Sequence, residues 1–209
     1  MPEIKWLGQS CFRIRGREAV ILMDPAPQES GNGLTRQRAD IVTLSHADDS
    51  LLDQIAPGVR AVTGPGEYEI REVFITGIRT RPKTDGAKQR GYNTVYLVEL
   101  EDLVFCHLGA LDHVLTEEQA ESMSQVDILF IPIGGAPTLN AAEAVEVIGR
   151  LEPSVVIPMQ YEPGQGDHPQ DALERFLKEM GVDEVEPVDR FSVKKSDLRE
   201  SVQIVILQP

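Results

Sequence analysis

The chain has 209 residues, 41% of them hydrophobic and 26% charged, with a formal net charge of -14. That length buries a substantial core and fits one domain over residues 1–209, and the residue balance is that of a globular protein. No segment approaches the ~20 apolar residues that cross a bilayer, and so acidic a mean field repels a phosphate backbone, so neither a membrane nor a nucleic acid is an expected partner.

The first residues, Met1 to Gly8, lack the basic region and uninterrupted apolar stretch of a secretory signal, so a soluble cytoplasmic protein is expected. Cys11 and Cys106 lie inside apolar strand-like runs with no paired spacing of a zinc knuckle or redox motif nearby, which predicts buried, reduced thiols. Ile4 to Leu7, Cys11 to Arg15 and Ala19 to Met23 are short β-prone runs broken at Gly8 and at Gly16-Arg17, the pattern of a meander. Asp24-Pro25 ends the third run, and 29–38 reads as a Gly-rich polar loop.

Asp40 to Leu44 then reads as a buried strand, and the polar residues Ser45 to Ser50 emerge at its carboxyl end, where α/β folds keep their sites. A short helix is expected over 51–56, followed by strands at Ala61 to Thr63, Glu67 to Ile70 and Val73 to Ile78. Residues 79–91 read as a polar loop that gathers Arg79, Arg81, Lys83, Lys88 and Arg90 against the single acid Asp85. Asn93 to Leu100 and Leu103 to Cys106 form a predicted hairpin around Glu101-Asp102.

Thr116-Glu-Glu-Gln119 has the form of a capping box opening a helix through Met123, and Val126 to Ile131 is a continuous apolar strand. Asn140 is suited to cap a helix over Ala141 to Arg150, with Ala141, Ala144, Val145 and Ile148 on one face. Val155 to Met159 is another buried strand, and Pro169 opens a helix that runs to Met180 and stops at Gly181. Phe191 to Val193 and Val202 to Leu207 close the chain as strands. Strand-rich segments with interspersed helices imply sheets covered by helices.

Several ordered segments carry a family resemblance: Trp6 to Phe12, Met23-Asp-Pro25, Leu44-Ser-His46, Gly64 to Glu69, Val73 to Ile78, Asn93 to Tyr96, His107-Leu-Gly109, Asp127 to Gly135 and Ile157-Pro-Met159. Together they resemble the metallo-β-lactamase superfamily, in its short bacterial branch similar to ascorbate-6-phosphate lactonase. The resemblance spans nearly the whole chain and implies a four-layer αβ/βα sandwich, two facing mixed sheets with outer helices and a site at the sheet edge between the halves.

The family's zinc pair is held by a His-x-His-x-Asp-His loop together with an aspartate after glycine and further histidines, three protein donors per metal leaving one position for water. Set on that pattern, His46 keeps the first place, while Asp48, Ser50 and Leu51 replace the second histidine, the aspartate and the last histidine. The next histidine falls near Pro82, the bridging aspartate is Ala110, and the histidine before Tyr161 is Gln160. The resemblance therefore implies zinc as cofactor while most of its ligand positions are lost.

Three chemistries remain open for these residues. His46, Asp48 and Asp49, with Asp112 or Gln160, form an oxygen-rich set suited to Mg²⁺, Mn²⁺ or Ca²⁺. A Ser-His-Asp relay would draw on Ser45 or Ser50, His107 or His113, and Asp112, although no nucleophile-elbow sequence accompanies it. Arg79, Arg81 and Lys83 hold a phosphate or carboxylate without any metal, with His107 a further companion of the cleft.

The reading that follows is a metallo-β-lactamase scaffold without its binuclear zinc site, a non-catalytic protein that binds a small anionic ligand or a protein partner, with a homo-oligomer admitted. The competing reading is a metal-dependent hydrolase of phosphoesters or lactones with an altered mononuclear site.

Overall fold

In the computed structural model the described residues are 1–25, 38–46, 49–80, 92–123, 125–161 and 169–209. The amino-terminal meander forms as its periodicity predicts: β1 (Glu3–Trp6), β2 (Phe12–Arg15) and β3 (Val20–Met23) pair antiparallel in turn. β4 (Ile41–Thr43) and β5 (Arg60–Val62) add parallel to β3, and β12 (Phe191–Ser192) pairs antiparallel with β1, completing a six-stranded sheet.

A seven-stranded sheet faces it. β6 (Gly66–Ile70), β7 (Val73–Thr80), β8 (Asn93–Leu100) and β9 (Leu103–His107) run antiparallel in succession, and β10 (Ile128–Pro132), β11 (Val155–Met159) and β13 (Gln203–Ile204) continue parallel. The β8–β9 turn is made by Glu101 and Asp102, both at positive φ (50° and 64°), the left-handed pair that matches the strands' twist in a two-residue hairpin.

Two buried faces explain why several strands read as continuous apolar runs. Ile21 and Met23 point between the sheets while Leu22 points outward, and Ile128 and Phe130 alternate in the same way with Leu129 and Ile131. Between the sheets Phe12, Phe130 and Phe105 form an aromatic cluster, with the tilted rings of Phe12 and Phe130 having centroids 4.4 Å apart.

Helices cover the outer faces. α2 (Glu117–Ser122) and α3 (Ala141–Leu151) both open with complete capping boxes, Thr116 with Gln119 and Asn140 with Glu143. α4 (Pro169–Glu179) ends before Gly181 at φ 69°. The buried face of α3 is Ala144, Val147, Ile148 and Leu151, rotated toward its end from the expected stripe because Ala141 and Val145 lie at its margin.

Other boundaries differ from expectation. α1 is Asp49–Leu52, beginning two residues before the predicted helix and ending sooner, with turns at Gln54 and Ile55 closing it. Arg79 is not in a loop, since β7 extends through Thr80 and pairs Arg79 with Thr94. The expected loop at 29–38 lies outside the described residues except for Arg38, and 81–91 lies outside them entirely.

The resulting αβ/βα sandwich collects one set of strand ends along one edge. β3, β4, β9, β10 and β11 all finish there, and β8 begins there at Asn93. The two sheets are joined at that edge by polar contacts, with Tyr96 of β8 donating its phenol to the Leu44 carbonyl at 3.0 Å. Burial, aided by Asp24, pushes that phenol's pKa far up, so it remains a donor.

Candidate functional site

A cleft of about 400 Å³ opens at this edge, lined by Gln9, Ser10, Ala110, Gly134 to Thr138 and Gln160. Its walls are held by backbone. The Gln9 carbonyl accepts from the Trp6 indole at 2.9 Å and from the Gln160 N–H at 3.3 Å, tying the first hairpin to the end of β11. Gly134 passes so close that a Cβ there would stand 2.0 Å from the Gln160 carbonyl oxygen. The loop beyond it closes on itself through Gly135 N–H to the Leu139 carbonyl and Thr138 N–H to the Gly135 carbonyl.

Asn93 organises the floor. Its Oδ1 accepts from the Ala110 N–H at 3.0 Å, and its Nδ2 donates to the Leu108 carbonyl and to Thr80 Oγ1, each at 3.0 Å. Gly109 is required between them, with φ 59° and with Asn93 Oδ1 and Ser45 Oγ each 2.5 Å from where a Cβ would be. Asp24, at the end of β3, accepts from the Ser45 N–H at 2.6 Å and so fixes the start of the Ser45-His46 turn.

Against that geometry, the predicted site residues separate. Gln160 lines the cleft, its amide Nε2 3.5 Å from the Gly109 carbonyl. His46 is half-buried at the end of β4. Asp48, Arg81 and Lys83 lie outside the described residues, and Asp49 is described only by its backbone at the start of α1. Arg79 is placed over the Tyr92 ring, its guanidinium carbon 4.5 Å from the centroid, and does not line the cleft.

His107 lies behind the cleft and not in its described lining. It is fully buried, and both ring nitrogens are committed inside the protein: Gly109 N–H donates to Nδ1 at 3.2 Å, so the proton sits on Nε2, 2.9 Å from the Ser10 carbonyl. Burial pushes its pKa down, partly opposed by Asp24 at 3.8 Å and by the Ser10 bond. In this arrangement the neutral imidazole has no spare lone pair and joins the two sheets.

The relay is likewise not formed from Ser45, whose Oγ is buried without a hydrogen-bond partner. His113 Nδ1 instead pairs with Asp112 at 2.8 Å in the loop after β9, and Ser50 is exposed on α1. Asn93, Asp24, Gln9, Ser10 and Thr138 carry the cleft's architecture without having been singled out for it. Gln9, Ser10, Asp24 and Asn93 lie within the segments that carry the family resemblance, and Thr138 lies outside them.

Does this set fit zinc? Ala110 offers a methyl, Gln160 a neutral amide, and Leu51 packs with Cys11, Leu22, Val42 and Leu44 beneath the outer face of the six-stranded sheet. Among the described residues no group of three or more His, Cys, Asp and Glu side chains is placed to hold a metal ion. The described donors do not fit a binuclear zinc centre, which needs nitrogen, sulfur or carboxylate donors at each metal.

Two facing mixed sheets with outer helices and a cleft at their shared edge define a protein of metallo-β-lactamase architecture. The chain belongs to the beta-lactamase superfamily: the model of its domain matches residues 3–160. A solved structure assigned as a Zn-dependent hydrolase of the metallo-β-lactamase superfamily, from Thermotoga maritima, is 30% identical, with a TM-score of 0.75 and all of both chains covered. A UPF0173 protein of Pyrococcus furiosus is 28% identical over 196 residues, covering 85% of this chain and 90% of the relative. A UPF0173 metal-dependent hydrolase of Pyrococcus horikoshii is 26% identical over 194 residues, covering 77% and 85% respectively.

Proposed function

We propose that this chain is a ligand-binding member of the superfamily whose cleft holds a small molecule by hydrogen bonds, without the binuclear zinc chemistry of the family pattern. The observation that carries this reading is the cleft floor, where Ala110 and Gln160 occupy positions that the pattern gives to an aspartate and a histidine. A methyl cannot bridge two metals, and a neutral amide is a weak substitute for imidazole. Supporting changes around a metal alone cost about 10 to 100-fold in affinity, and here the donors themselves differ.

The anionic version of this reading draws on Arg79, Arg81 and Lys83, and among the described residues it has only Arg79, which is engaged with Tyr92. We further propose that 1–209 acts as one domain in the cytoplasm. The pairing of β12 with one sheet and β13 with the other supports the first of these, and no helix of the described residues is long and apolar enough to cross a membrane.

A second reading is favoured by the relatives' names: a metal-dependent hydrolase with an altered mononuclear site built on His46 and Asp48. Metal analysis of protein purified without added metal, with a phosphodiester hydrolysis assay supplemented with Zn²⁺, Mn²⁺ or Mg²⁺, separates the two. Substoichiometric metal and no turnover are expected. Stoichiometric metal with turnover abolished by His46→Ala establishes the second reading instead.

A further inference from the structure

The cleft that would bind a ligand contains no ionisable side chain among its described lining. Its polar side chains are the amides of Gln9 and Gln160 and the hydroxyls of Ser10 and Thr138, group types that both donate and accept, with the Thr138 hydroxyl donating to the Gly135 carbonyl at 3.0 Å and so facing a ligand as an acceptor. Between them stand the Ala110 methyl and the Pro137 ring, small apolar surfaces suited to carbon-bound hydrogens. A net charge of -14 repels anions from the whole molecule, and no cation in the described lining offsets it.

Resting on the ligand-binding reading above, we propose that the ligand is uncharged: a compact molecule bearing several hydroxyl or amide groups, and not a phosphate or carboxylate. An anion brought into this cleft would exchange water for amides and hydroxyls with no counter-charge in the described lining, whereas a neutral hydroxyl loses little and finds both donors and acceptors. The volume of about 400 Å³ lies within the range of small-ligand sites. The three chain segments at Gln9, Gly134 and Gln160 are fixed on one another by backbone contacts, so the polar groups are positioned before a ligand arrives.

The single tryptophan, Trp6, is bonded to the Gln9 carbonyl that anchors the cleft wall, so its emission reports binding alongside calorimetry. The full chain is titrated with myo-inositol, glucose, xylitol and N-acetylglucosamine, and with the phosphate monoesters of the first two. At least one neutral probe should bind more tightly than about 1 mM, with its own phosphate ester, or the glucose and inositol esters if the binder is xylitol or N-acetylglucosamine, about tenfold weaker or worse. Gln160→Leu and Thr138→Val should each weaken the neutral probe about tenfold while circular dichroism and thermal midpoint stay near those of the parent.

A phosphate ester that binds as well as or better than its neutral counterpart overturns the proposal, as does the absence of any neutral binder, or neutral binding that both variants leave unchanged. These outcomes are separable from failure of the underlying reading. Zinc stoichiometry with hydrolysis removes that reading whatever the ligand charge, and a preferred phosphate ester without zinc leaves it standing.

Discussion

His107 holds Ser10 across the gap between the sheets, its Nε2 2.9 Å from the Ser10 carbonyl, so a histidine of β9 is fastened to the turn that leads into β2. The contact spans 97 residues of sequence and places the Ser10 wall of the cleft over the floor at Gly109 and Ala110.

The burial of that imidazole makes stability depend on pH in a defined direction. Burial lowers the folded-state pKa of His107, so below the ordinary histidine value of about 6.5 the unfolded chain binds more protons than the folded one. The contribution is complete above that value and is lost as pH falls through the folded pKa. Urea unfolding between neutral and mildly acid pH should show a smaller loss of stability in His107→Gln than in the parent. Parallel curves would show that His107 does not contribute this dependence.

Asn93→Ala removes three hydrogen bonds at once and leaves the Ala110 N–H and the Leu108 carbonyl without this partner. A loss of roughly 2 to 3 kcal/mol is expected, since buried polar groups without partners cost about 1 to 3 kcal/mol each and some recover water. Equilibrium denaturation measures it, and any ligand of the cleft should bind less well to the variant.

Two glycines should respond oppositely to alanine. Gly134→Ala forces a methyl against the Gln160 carbonyl oxygen and should destabilise by about 1 to 3 kcal/mol. Gly149→Ala, inside α3 with nothing within 4 Å of the added carbon, should stabilise by about 0.5 to 1 kcal/mol. A thermal midpoint that does not fall in Gly134→Ala would contradict the packing described for Gly134, and one that falls in Gly149→Ala would contradict the open space at Gly149.

Restoring the zinc loop by substitution should fail first at Leu51. Its side chain belongs to the apolar cluster with Leu22, Val42 and Leu44, so Leu51→His removes apolar packing and buries imidazole there. Roughly 2 to 4 kcal/mol of stability should be lost. A variant of parental stability, measured by urea titration, would mean that α1 turns readily toward the cleft.

The local grammar of the chain was legible because its causes are local. Thr116 with Gln119, and Asn140 with Glu143, announce their helices three residues apart, and Glu101-Asp102 announces a hairpin. The sandwich itself came from resemblance to a family, since alternating apolar residues do not say which sheet a strand joins. The cleft's organisation was hidden for a related reason. Asn93 with Ala110, Asp24 with Ser45 and His107 with Ser10 are partners 17, 21 and 97 residues apart, and nothing in the identity of either member names the other. At Arg79 the run of charges hides the continuation of β7, where the guanidinium faces Tyr92.

The mutual hold of Gln9, Gly134 and Gln160 runs through main-chain atoms and the absence of one methyl group, so it needs no particular functional group at position 160, only a side chain that tolerates its φ of 58°. Descent could therefore exchange histidine for glutamine there, and aspartate for alanine at 110, while the hollow kept its outline. A lineage can shed one chemistry and try others without first surviving a collapsed intermediate.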